Sequence, residues 1–184
     1  MSALDCLSPE TLNSIDRFAG SELPANLIRA IVVVESGGNP FAWRVEPKYR
    51  YLWDNSKNVP FRALTYGESV SEIAPTDFTA PKGLNSSRDT EWWGQQASWG
   101  PMQVMGAVAR EYGFKGHFPQ LCTAEGVKYG CLHLTRLKKR FWRKFGWDGV
   151  ISAYNQGYPG MSGSRFNNQG YVDKVNHLRL KPGA

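Results

Sequence analysis

The stretch Ile28-Arg29-Ala30-Ile31-Val32-Val33-Val34-Glu35-Ser36-Gly37-Gly38-Asn39-Pro40 constrains this chain most. An apolar run carries one carboxylate at its end, and two glycines then stop it. Pro24 suits the first turn of a helix and Gly37 a left-handed cap. Between them Leu27, Ile28, Ile31, Val32 and Val34 recur at helical spacing. Glu35 lies three residues after Val32, four after Ile31 and seven after Ile28, so it projects from the buried side near the C-terminal end. The negative end of the helix dipole and apolar neighbours both disfavour a charged carboxylate there. Both raise its pKa, as a general acid requires at neutral pH. The competing reading turns Glu35 out to solvent at a frayed helix end.

The 184 residues are enough for one domain with a sizeable core. No apolar run is long enough to span a membrane. Met1 to Asp5 lacks a basic region followed by an apolar one, so no signal peptide is expected. Cys6, Cys122 and Cys131 are too few and scattered for a disulfide framework, which points to synthesis in a reducing compartment. The net charge of +6 suggests an anionic partner. Nucleic acid, anionic lipid and bacterial cell wall all qualify.

Along the chain, Ser8-Pro9-Glu10 reads as the start of a short helix to about Ala19, with Leu12, Ile15 and Phe18 facing in. The Pro24–Glu35 helix follows. Residues 43–99 are rich in proline and aromatic side chains and poor in periodicity. They read as an insertion of short helices and turns, whose rings either form its own small core or line a groove that stacks on sugars or bases. A helix is expected from Ser98-Trp99-Gly100-Pro101-Met102-Gln103-Val104-Met105 to about Tyr112, with Pro101 and Gln103 in its first turn and Gly113 at its end. Thr123 caps a long helix to roughly Phe145, with Val127, Cys131, Leu134, Leu137 and Phe141 inward. Arg136, Lys138, Lys139, Arg140, Arg143 and Lys144 form its other face, either a surface for anionic lipid or nucleic acid or simply a solvated face. A short helix over Trp147–Tyr154, a turn-rich loop over 159–170 and a last helix over about 170–180 complete an all-α domain of six or so helices.

The inventory narrows the chemistry. His117, His133 and His177 have no metalloprotease spacing, and no pair of C-x-x-C motifs occurs, which argues against zinc. No phosphate loop or dinucleotide fingerprint is present, and Gly160-Met161-Ser162-Gly163-Ser164 breaks the nucleophile-elbow pattern at its last position. Carboxylate chemistry remains, and glycoside cleavage is the commonest task for such an acid.

Glu35-Ser36-Gly37-Gly38-Asn39-Pro40 resembles the first motif of the soluble lytic transglycosylase family. Gly100-Pro101-Met102-Gln103-Val104 is similar to the second, with Pro101 in place of leucine. Ala153-Tyr154-Asn155-Gln156-Gly157 resembles the third, and Tyr171-Val172 followed by Val175 the closing tyrosine motif. The long link between the first two motifs, with its Arg44-Val45-Glu46-Pro47 element, resembles phage-encoded members. The resemblance implies a lysozyme-like domain over residues 1–184 that cleaves the MurNAc–GlcNAc β-1,4 bond of peptidoglycan, forming 1,6-anhydro ends. It implies Glu35 as acid and then base, with Ser36, Glu46, Ser98, Met102, Gln103, Tyr154, Asn155 and Tyr171 contacting substrate. Tyr171 is expected to steer Glu35. No cofactor or metal is implied. The expected partner is the glycan strand, with envelope contact through the basic helix and no nucleic acid. The chain is expected to act as a monomer, made in a host cytoplasm and acting at the wall, as a lysis enzyme or from the virion.

Two rivals stand beside this reading. A goose-type hydrolase needs a second carboxylate, with Glu46, Asp54, Glu68 and Asp77 as candidates. A binding module needs no catalytic Glu35 at all.

Overall fold

A computed structural model describes residues 6–46 and 49–180. The chain is mainly helical, with short antiparallel strands among the helices. In order, the elements are α1 (Pro9–Phe18), α2 (Ala25–Ser36), β1 (Trp43–Val45), β2 (Trp53–Asp54), β3 (Val59–Pro60), α3 (Tyr66–Ser69), α4 (Arg88–Gln95), β4 (Ala97–Trp99), β5 (Val104–Met105), α5 (Gly106–Glu111), a 3₁₀ turn (Phe118–Cys122), α6 (Ala124–Gln156), β6 (Met161–Ser162), β7 (Arg165–Phe166) and α7 (Gln169–Arg179). The helical majority agrees with the expected all-α class, and three small sheets, ordered β1-β4-β5, β2-β3 and β6-β7 among the described residues, are added to it.

The main core gathers α1, α2, α6 and α7 around Ile15, Ile28, Ile31, Leu134, Ile151 and Val175, all buried. Ser8 caps α1 and Pro9 opens it, as its sequence predicts. Helix α2 ends at Gly37 in the left-handed region, at φ 64°. Pro24 occupies the N-cap of α2 and not its first turn. Helix α6 holds its predicted apolar face inward, and Cys131 is a buried, free core thiol. At Gly146, φ 60° and ψ −160° break the helix, so its two halves point differently. The break falls between the two helices expected from sequence.

The largest departure lies at 97–105. The expected helix start is a hairpin: β4 pairs with β5, Ser98 opposite Met105 and Trp99 opposite Val104. Gly100 at φ 71° and Gln103 at φ 48° turn the chain between them. Pro101 therefore sits in a tight turn, which suits proline as well as a first helical turn does. Only Gly106–Glu111 continues as helix.

The inserted segment, with Ala107 of α5, builds a second, smaller core of Leu52, Leu64, Ala74, Phe78 and Trp92. Beside it lies a fully buried ion pair. Arg110 Nε donates to Glu91 Oε1 at 2.8 Å, and Arg110 Nη2 to Glu91 Oε2 at 2.9 Å. Glu91 also accepts from Asn55 and Gln95, and Arg110 donates to the carbonyls of Phe114 and Gly116. Every charge-bearing group here is thus answered, the condition under which a buried pair is tolerated. Helix α5 approaches α4 so closely that a Cβ on Gly106 would lie 2.0 Å from the Gly94 carbonyl oxygen.

Candidate active site

Glu35 stands at the C-terminal end of α2, half-buried, at the base of a cleft of about 1340 Å³. The apolar stripe of α2 fixes its direction, and burial then pushes its carboxyl above the usual glutamate range. Tyr171 Oη donates to Glu35 Oε1 at 2.5 Å, which opposes that rise, as does the nearby Arg44 charge. The phenol of Tyr171 is itself raised well above its ordinary value by burial and by Glu35, so it stays a donor. With Tyr171 on Oε1, an acidic proton on Glu35 resides on Oε2.

One wall of the cleft is the β1-β4-β5 sheet. Trp43, Arg44, Ser98 and Met105 line it from these strands. Arg44 lies opposite Ser98 and both line the cleft, with Glu46 two residues along on the same face. Trp43 lies opposite Trp99, and their rings stack at 5.7 Å. The other wall comes from α6 and α7, with His133, Arg136, Arg140, Tyr154, Asn155, Tyr171 and Lys174. The Gly146 break lets residues of both halves of α6 reach this wall.

Comparison of the chain with family models, with curated proteins and with solved structures finds no match.

The proposed site residues divide by geometry. Glu35, Glu46, Ser98, Gln103, Tyr154, Asn155 and Tyr171 come together on the cleft. Ser36 and Met102 are corrections. Ser36 Oγ donates to the carbonyls of Val32 and Pro101, tying α2 to the hairpin, and Met102 is fully buried. Neither lines the cleft. Gln103 is reassigned in part. Its Nε2 donates to the carbonyls of Ala42 at 3.0 Å and Gly100 at 2.8 Å, and its Oε1 accepts from Ser98. The amide therefore holds the hairpin against β1, and its protons are not free for a sugar. Tyr154 Oη likewise donates to the Met102 carbonyl at 2.7 Å. Asn155 is exposed on the cleft, and its Oδ1 accepts from Asn168.

The other carboxylates are committed elsewhere. Arg44 Nε donates to Glu46 Oε1 at 2.7 Å. Asp54 caps its own turn at Ser56 and Lys57, and Glu68 and Asp77 share Arg62; none of the three lines the cleft. Pro47 lies outside the described residues, as do Met1–Asp5.

Sequence reasoning missed His133, Arg136, Arg140 and Lys174 as cleft residues. Arg136 pairs with Glu111, which also accepts from Tyr51 Oη at 2.8 Å. His133, bonded to Tyr112 Oη at 3.0 Å, is pushed down to about 4 by burial and by the Arg136 and Arg140 charges. The single basic face of α6 is also corrected. Lys138 turns away to pair with Glu22, while Arg136 and Arg140 face the cleft. Lys139, Arg143 and Lys144 are exposed. The fourth motif offered its tyrosine, and Lys174 lies three residues later, one helical turn along α7.

Proposed function

We propose that this chain is a lysozyme-like peptidoglycan lytic transglycosylase, cleaving the MurNAc–GlcNAc β-1,4 bond and leaving 1,6-anhydroMurNAc ends. One observation carries the reading: among the described residues Glu35 is the acid of the cleft without a basic partner hydrogen-bonded to it, and its pKa is raised. Glu46 is paired with Arg44, and Glu111 with Arg136. A carboxylate held by a guanidinium is a poor base for activating water.

The chemistry then needs one carboxyl. Glu35 Oε2–H gives its proton to the glycosidic oxygen as the C1–O bond breaks. The resulting carboxylate, steadied by the Tyr171 hydroxyl, takes the proton of the C6 hydroxyl as O6 closes on C1. No water is consumed, and Glu35 ends protonated. The internal nucleophile is already held beside its target, which favours closure over capture of water. The phage-like motif pattern supports a lysis role at the bacterial wall, with the chain acting as a monomer on glycan strands.

Mass analysis of fragments released from purified peptidoglycan tests this reading. The expected products are lighter by one water than reducing muropeptides. Reducing MurNAc ends, together with loss of cleavage in Glu46→Gln, would assign the two-carboxylate hydrolase instead.

A further inference from the structure

The cleft holds more positive charge than a neutral glycan requires. Arg44 and Arg136 are balanced by Glu46 and Glu111. Arg140 and Lys174 also line the cleft, and neither has a carboxylate within salt-bridge distance among the described residues. Arg140 lies one turn beyond Arg136 on α6. Lys174 lies one turn beyond Tyr171 on α7, so it stands close along the helix from the residue that touches Glu35. Unpaired cations that converge on a cleft from two helices form an electrostatic trap for an anion. The neutral state of His133 at physiological pH leaves this charge to Arg140 and Lys174.

We propose that Arg140 and Lys174 bind a carboxylate carried on the C3 lactyl arm of the substrate, and so select strands by their substituents. This rests on the transglycosylase reading. The pyranose rings and their linkages are uncharged, so the anion has two sources. It is the lactyl carboxylate itself where the arm is free, or a carboxylate of the peptide attached to it. An arginine fork matches a carboxylate with two parallel hydrogen bonds, and the lysine adds a mobile point charge.

Calorimetry on the Glu35→Gln protein separates the possibilities, because binding is read without turnover. The probes are peptide-bearing strands, strands stripped by an amidase to expose lactyl carboxylates, and an N-acetylglucosamine hexamer without any carboxylate. Adding Arg140→Gln and Lys174→Gln is expected to weaken binding of peptide-bearing strands about tenfold at low salt and to flatten its salt dependence. Hexamer binding is expected to change by less than twofold. An equal loss on stripped strands shows that a free lactyl carboxylate serves as well as a peptide carboxylate, and a loss on peptide-bearing strands alone identifies the peptide. Arg140→Lys with Lys174→Arg keeps both charges and is expected to restore most of the affinity. Equal weakening of all three probes, or no weakening of any, overturns the inference. The muropeptide masses of the wild-type reaction are independent of this result, so the two readings fail separately.

Discussion

Tyr171 of the last helix donates a 2.5 Å hydrogen bond to Glu35 of the second, joining residues 136 positions apart. The bond favours the carboxylate, whereas burial favours the acid, and burial is the larger influence. Tyr171→Phe removes the smaller influence. The pKa of Glu35 is expected to rise further, so the limb of the pH–activity profile lost on raising pH moves upward. Turnover is expected to fall about tenfold, since the carboxylate formed after proton donation loses its donor. A pH profile of cleavage by the variant checks both.

Glu35→Gln is expected to lower wall cleavage by about 10³-fold or more, the scale of a general acid. Circular dichroism is expected to match the wild type. Well-folded protein that keeps more than a few per cent of activity would remove Glu35 from the mechanism.

The same substitution carries a stability prediction. A carboxyl whose pKa is raised in the folded state binds its proton more tightly there. That contribution is present below the unfolded value of about 4.3 and is lost as pH rises through the folded value. Glutamine is always neutral and still offers Tyr171 an acceptor. Glu35→Gln is therefore expected to melt higher than the wild type at pH 7, with the gap closing near pH 4. Thermal melts at the two pH values decide it.

Gln103→Ala is expected to cost about 2 kcal/mol in urea unfolding, because the Ala42 and Gly100 carbonyls and the Ser98 hydroxyl each lose a partner. Alanine is also strained at φ 48°. Gln103→Gly, which relieves the strain without restoring the bonds, is expected to recover only part of the loss.

Glu46→Gln is expected to keep cleavage within about threefold and to leave the product mass unchanged. Arg44 still finds an acceptor in the amide. Loss of activity as complete as that of Glu35→Gln would make Glu46 a catalytic base.

Helix α2 was legible because three independent signals agreed: the apolar stripe, Pro24 before it and Gly37 after it. The break at Gly146 falls between the helix expected to end near Phe145 and the one expected from Trp147. The 97–105 hairpin was not legible. Its strands are two and three residues long, too short for alternation to appear, and proline fits both a hairpin turn and a helix start. Gln103 hid its role for the same reason, since a left-handed glutamine leaves no mark in sequence. Arg136 and Arg140 were read as part of an anion-binding or solvated outer face because helical spacing separates core from non-core, and a cleft wall counts as non-core. Of the residues named from the four motifs, Glu35, Tyr154, Asn155 and Tyr171 line one cleft, and Ser36 and Met102 do not. Those two support the site from behind, through a hydrogen bond and through packing.

The Glu91–Arg110 pair gives the inserted segment a status that its irregular sequence hides. Arg110 belongs to the helix that follows the hairpin, whereas Glu91, Asn55 and Gln95, which surround it, are supplied by the insertion. Shortening the loop to the length of a simple link would strand a guanidinium among Phe114 and Phe118 with no anion beside it. For an engineer seeking a smaller version of this chain, removing Glu91 with the segment calls for rewriting Arg110 in the same step. A single deletion that takes Glu91 and leaves Arg110 is expected to destabilise the protein.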